Sequence, residues 1–222
     1  MASWMIHLRV AQGIYKQINS LCTKEFIMGN IAPDSGIPAP DGNGFIPSAE
    51  ISHFRTLDSN GIKDVHYDLF IQDYFTEEQR KSYDTQTYSF YFGYLTHLMT
   101  DKLWAEEIAY TAKDRFSWLF DTDNKGFWEK VKRDWYDLDF LYLKENPKFE
   151  AYSIYENIET FKNVFLPFFT ENAFEERKCF ITEFYRDGVR NVEEHETYLS
   201  MEELDEFVEF AVEEIIRLCH YS

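Results

Sequence analysis

An all-α, single-domain protein is what this sequence predicts: a helical bundle of one domain spanning residues 1–222, interrupted by a long packed loop at about residues 29–64. Three observations lead there. Apolar residues recur at helical spacing through most of the chain, and almost no stretch alternates with period two. Aromatic residues make up 18% of the 222, with 21 Phe, 15 Tyr and 5 Trp against 9 Gly and 6 Pro, so bulky core formers abound and helix breakers are few. No internal repeat or low-complexity linker divides the chain, and at this length about 70% of the unfolded surface can be buried without disulfides.

From Ser3 to Leu21, the residues Trp4, Leu8, Ala11, Ile14, Ile18 and Leu21 step along one helical face, and His7 keeps their register at its edge. Residues 29–64 hold most of the glycines and prolines and lose this periodicity. A connection that long inside a compact domain is usually functional, and its scattered apolar residues (Ile31, Ile37, Phe45, Ile46, Ile51, Phe54) predict that it packs. Helices resume at Thr76, where T-E-E-Q fits a capping box. A long helix is expected over Gln86–Lys113, with Phe90, Tyr94, His97, Asp101 and Trp104 on one face. Further helices are expected over Asn124–Leu143, Ala151–Phe169 and Glu171–Arg186, and a last one from the capping box S-M-E-E at Ser200.

Lysine and arginine total 22 against 40 aspartates and glutamates, a net charge of −18. Such a surface repels phosphate backbones, so no nucleic-acid partner is expected, and anionic membrane surfaces are disfavoured in the same way. The N-terminus lacks the basic and apolar regions of a signal peptide, and no run of 18 apolar residues occurs. Cys22, Cys179 and Cys219 have no C-x-x-C spacing and read as reduced thiols. A cytoplasmic protein without stable membrane association is therefore expected.

Chemistry concentrates at a few positions. Asp101 follows His97 by four residues, so both side chains leave one face of a helix and can reach a single cation. That face also carries Phe90, Tyr94 and Trp104, where an unpaired carboxylate would be costly to bury; a metal or a partner arginine would remove the cost. Asp34 sits in the tightly turned N-I-A-P-D-S-G, and His53 late in the same loop. Singly, each has a plainer explanation: a surface pair, a core-edge histidine at His7, a turn-capping aspartate, a solvated loop histidine. His66, His195 and His220 are expected in a loop or in solvent. Lys102 and Arg115 could face a phosphate from the central helix, although pairing with the excess carboxylates suits them better.

Taken in order, His7, G-N-I-A-P-D with Asp34, I-S-H-F with His53, and Y-F-G-Y-L-T-H-L-M-T-D with His97 and Asp101 resemble the zinc-dependent phospholipase C family, which is all-helical and shares its fold with zinc-dependent single-strand nucleases. The resemblance covers about residues 1–110. It implies metal ligation by Asp34, His53, His97 and Asp101, with Asp101 reaching towards a second metal that His7 also binds, and it makes Asp34 the catalytic candidate that orients or deprotonates the attacking water. Paired divalent ions of this kind activate a water and clamp a phosphoester.

The chain also departs from that family. Secreted members ligate one zinc through a mature N-terminal tryptophan, whereas Trp4 here follows Met-Ala-Ser, so that ligation is not expected. The histidines that follow the helical aspartate in the family are missing. Glu106, Glu107, Asp134 or Asp137 could replace them, although a solvated helix flank is the simpler expectation for R-D-W-Y-D-L-D. Carboxylate ligands would admit manganese, iron or magnesium beside zinc, as one or two ions. The expected function is a metal-dependent phosphoesterase acting on a small phosphomonoester or phosphodiester. The alternative is a non-catalytic metal- or ligand-binding member of the same fold. An unrelated His-Asp hydrolase is disfavoured because no adjacent H-D pair occurs.

Overall fold

Ser3 starts the first helix, α1 (Trp4–Tyr15), by accepting the Ile6 amide on its Oγ at 3.3 Å. The helix ends earlier than its periodicity suggests: the amides of Gln17 and Ile18 both turn back onto the Ile14 carbonyl. A second helix, α2 (Thr23–Ile31), takes in the first residues of the segment expected to be irregular, and runs into a single 3-10 turn at Ala32–Asp34. The computed structural model describes residues 1–57, 63–188 and 198–220.

The rest of the segment at 29–64 is built from small pieces. Strands β1 (Ile37–Pro38) and β2 (Phe45–Ile46) pair antiparallel, Ile37 opposite Ile46; helix α3 (Ala49–Ser52) follows; β3 (Arg55–Leu57) pairs with β4 (Lys63–Val65), Arg55 opposite Val65. The expected packing of its apolar residues holds only in part. Ile31 is buried and Phe54 half-buried, but Ile37, Phe45, Ile46 and Ile51 are all about half exposed, between 45 and 53%. A two-residue ladder has no broad face to lay on a core, so Ile37, Phe45 and Ile46 stand out on the surface, as does Ile51 on the single turn of α3.

Helices α4 (Tyr67–Tyr74) and α5 (Glu77–Ser82) lead to the central helix α6 (Thr85–Trp104), and Thr76 and Gln79 form the capping box read from T-E-E-Q. Every residue of α6 from Ser89 to Asp101 is buried, so this helix is surrounded on all sides. A π-helical turn, Ala105–Ala109, joins it to α7 (Tyr110–Arg115), and α8 (Ser117–Thr122) and α9 (Asn124–Glu145) follow. Beyond them come α10 (Glu150–Glu156), α11 (Ala173–Asp187) and α12 (Met201–His220), the last preceded by a reciprocal bond pair between Ser200 and Glu203. A single apolar core joins residues from Ala2 to Ile215, and no helix among the described residues is long and apolar enough to cross a membrane.

The helix expected over Ala151–Phe169 stops at Glu156. Phe161, Phe165 and Phe169 keep an i, i+4, i+8 spacing, but Asn163 rewires the backbone: its amide group donates to the Leu166 and Phe169 carbonyls and accepts from the Phe165 and Leu166 amides. The phenylalanines still pack, with Phe165 stacked on Phe90 at 3.9 Å.

Helices α2 and α6 touch backbone to backbone. A Cβ on Gly29 would lie 2.0 Å from the Phe90 carbonyl oxygen, and one on Gly93 would lie 2.1 Å from that of Phe26. Gly93→Ala is therefore expected to destabilise the protein by about 3 kcal/mol or to prevent folding, because the obstacle is main chain and cannot rotate away. Chemical denaturation measures this; a loss under about 1 kcal/mol would mean that the two helices separate easily.

Candidate metal centre

The close approach of α2 and α6 sets up the chemistry at their meeting point. The Asn30 carbonyl, one of the last four of α2 and so without a helical partner, faces His97 Nδ1 at 2.7 Å. Because a carbonyl only accepts, His97 Nδ1 carries the proton and Nε2 presents its lone pair inwards. The 3-10 turn after α2 brings in Asp34, and α3 ends at His53, whose Nδ1 is 2.8 Å from Ser52 Oγ. The Tyr94 hydroxyl, one turn before His97, donates to the Ser52 carbonyl and ties α3 to α6. Phe54, just after His53, has a φ of 48°, uncommon for a non-glycine, and its ring is held edge-on against Phe70.

All five side chains singled out from the sequence meet. The imidazoles of His7 and His97 stack, their centroids 3.7 Å and their planes 6° apart, and His53 stands 5.2 Å from His97. Asp101 lies among the three: Oδ1 is 3.4 Å from His7 Nε2, and Oδ2 is 3.6 Å from His97 Nε2 and 4.0 Å from His53 Nε2. Asp34 Oδ1 is 3.2 Å from His53 Nε2. His7 is not at the edge of the buried face, as its register suggests, but wholly buried, because α6 and α12 both pack on α1. Asp34 is the most open of the five, with 13% of its side chain exposed.

His7, His97 and Asp101 form one group that could hold a metal ion, and Asp34, His53 and His97 form another. Bonds of about 2.0–2.1 Å in a tetrahedron place ligand atoms about 3.3–3.4 Å apart, close to the 3.2–4.0 Å separations here. Both ring nitrogens of His7, His97 Nε2 and Asp101 Oδ2 are buried without a hydrogen-bond partner. Such groups cost about 1–3 kcal/mol each when unmatched, and a cation matches His97 Nε2, Asp101 Oδ2 and one nitrogen of His7 together. The residues fit a metal ion.

Electrostatics agree. Burial opposes ionisation of Asp34 and Asp101, but the facing histidines hold both carboxyls well below the usual range. Burial also opposes charging His97, yet Asp101 and Asp34 raise its pKa above 6.5. Burial, with His97 pressed against it, pushes His7 down to about 4. The sign for the metal-free protein follows. Between pH 6.5 and 4 the unfolded chain protonates His7 and the folded protein does not, so stability falls with pH by about 3 kcal/mol at 1.36 kcal/mol per unit. His97 acts in the opposite sense above pH 6.5, and the two aspartates only below about 3.8. Denaturant unfolding of chelated protein should show this slope, and His7→Gln should flatten it; a slope unchanged in that variant would contradict the account.

The other sequence expectations divide. Asp134 Oδ2 accepts the Tyr198 and Leu199 amides, Asp139 accepts from the Ser3 and Tyr185 hydroxyls, and both are buried, as is Asp137. R-D-W-Y-D-L-D is thus a row of internal carboxylates rather than a solvated flank. Glu106 and Glu107 are exposed, and among the described residues none of Glu106, Glu107, Asp134 and Asp137 joins a candidate metal group. Lys102 pairs with Asp64 and Glu106, Arg115 with Glu203, and His66 lies 2.7 Å from Thr56 Oγ1, away from the cluster. His195 lies outside the described residues.

The cluster forms the floor of a cleft of about 710 Å³ whose lining includes Ala2, Asp34, His53 and Asp101. The Ala2 backbone nitrogen donates to Asp101 Oδ1 at 2.9 Å. Walls of Trp128, Phe120, Tyr110 and Trp135, with Lys113, Lys132, Arg55 and Arg177, were not anticipated from the sequence. Lys113, Lys132 and Trp128 sit on helices that read as ordinary amphipathic ones, and only their convergence distinguishes them. Comparison with protein-family models, curated proteins and solved structures finds no match for this chain.

Proposed function

We propose that the protein is a metal-dependent phosphoesterase, using zinc or a harder divalent ion, of the type that its motifs resemble in the zinc-dependent phospholipase C family. One observation carries this: a buried carboxylate, Asp101, turns one oxygen to His7 and the other to His97 and His53, beneath an open cleft in which Asp34 is the accessible acid. A bound divalent ion supplies Lewis acidity there, lowering the pKa of a water and neutralising ester charge.

The chain's own residues do the rest. Asn30 fixes the His97 tautomer so that Nε2 is available as a donor. Asp34 is ionised at neutral pH and sits at the cleft side of the cluster, where it can orient an attacking water and take up its proton. His7 and Asp101 Oδ1 are suited to a second ion, and the backbone nitrogen of Ala2 lies against the same oxygen.

That second position has few side-chain donors among the described residues, which favours a non-catalytic metal-binding role as the other reading. Turnover separates the two. Metal-loaded protein is expected to hydrolyse an aryl phosphoester, to stop on chelation, and to prefer this small ester to single-stranded DNA, with salt narrowing the difference because the chain carries −18. Inertness towards mono- and diesters across pH 6–9 would favour the non-catalytic role.

A further inference from the structure

The cations of this protein are distributed unevenly, and four of them gather in one cleft. With 40 carboxylates for 22 lysines and arginines, partners are in excess, and Arg9, Lys16, Lys81, Lys102, Arg115, Lys125, Lys162 and Arg217 each pair with one. Among the described residues Arg55, Lys113, Lys132 and Arg177 form no ion pair; several other lysines and arginines scattered over the surface have none either, but these four line a single cleft over the histidine–carboxylate cluster. Lys113 lies over the Phe120 ring at 4.7 Å, and Lys132 is exposed on α9. Arg177 spends one donor on the Gly36 carbonyl, and the Arg55 Nε is buried without a partner.

Among the described residues, the carboxylates on the lining are Asp34 and Asp101, both within the cluster. Four cations against two carboxylates leave the cleft at +2 on a chain of net charge −18. Any divalent ion on the floor makes the imbalance larger. A single phosphate received at the floor would leave the cations of the walls without a counter-charge in a concave space, where like charges interact more strongly than in water.

From this we infer that the cleft takes a phosphate ester bearing a second phosphate, received by Lys113 and Lys132 with Arg55 and Arg177, its organic part against Trp128 and Phe120. The inference rests on the phosphoesterase reading for the first phosphate and goes beyond it for the second. A volume of about 710 Å³ has room for both groups.

Calorimetry with methylenediphosphonate and with methylphosphonate tests it on the metal-loaded protein. The diphosphonate should bind about tenfold or more tightly than the monophosphonate, as one or two added charged hydrogen bonds require. The double variant Lys113→Gln/Lys132→Gln should lose most of that preference while binding methylphosphonate as before. Replacing both lysines with arginine should keep the preference, and unchanged melting curves would show that the fold is intact. Equal affinity for the two ligands in the parent protein would overturn the proposal. So would a preference that survives the glutamine variant, since it would then arise from chelation at the cluster alone. If no metal is retained, the phosphoesterase reading fails separately, and the same comparison on metal-free protein still decides, because the lysines do not depend on the ion.

Discussion

Asp101→Asn is expected to strip the protein of most of its metal. The carboxylate lies 3.4–4.0 Å from the Nε2 atoms of His7, His97 and His53, so one side chain faces all three imidazoles and supplies the only carboxylate of the group with His7 and His97. Asparagine keeps the volume but removes the charge and one of two acceptor oxygens, and an amide nitrogen turned towards His97 or His7 would repel an ion. Affinity should fall by at least about 100-fold, the upper end of what losing a mere supporting contact costs. Elemental analysis after dialysis measures this, with His97→Ala expected to behave alike and His220→Ala expected to retain metal. Full occupancy in Asp101→Asn would show that the ion sits elsewhere.

Asp34→Asn should instead separate binding from chemistry. Asp34 contributes one oxygen at the open side of the cluster, 3.2 Å from His53, while the buried imidazoles and Asp101 remain. Metal content should therefore drop modestly. Turnover of an aryl phosphoester should drop by about 10²–10⁴, because asparagine cannot take a proton from water. Equal losses of metal and turnover would make Asp34 a ligand only, and no loss of turnover would remove it from the chemistry.

What the sequence made legible follows from which interactions are local. The H-x-x-x-D pair is written in helical periodicity, and Thr76 and Ser200 announce their helices through caps three residues long. Asp34 and His53 carry no such local mark, since a turn and a loop explain each of them alone; their order with His7, His97 and Asp101, and the family resemblance that order carries, singles them out. The phenylalanines at 161, 165 and 169 mimic a helix that Asn163 forbids, an effect of one side chain that periodicity cannot register. The exposed Ile37, Phe45 and Ile46 show the reverse error, apolar residues read as packed where the backbone gives them no face to cover. The depth of His7, the carbonyl of Asn30 and the unpaired lysines of the cleft depend on contacts between distant elements, and no local pattern encodes those.

The most direct test of a metal centre built from His7, Asp34, His53, His97 and Asp101 is anomalous scattering at the zinc and manganese edges from crystals of the purified protein. A peak enclosed by Asp34, His53, His97 and Asp101 Oδ2, with a second, weaker one between His7 and Asp101 Oδ1, is the predicted result. Crystals grown with either metal that show no peak within bonding distance of His97 Nε2 would contradict it.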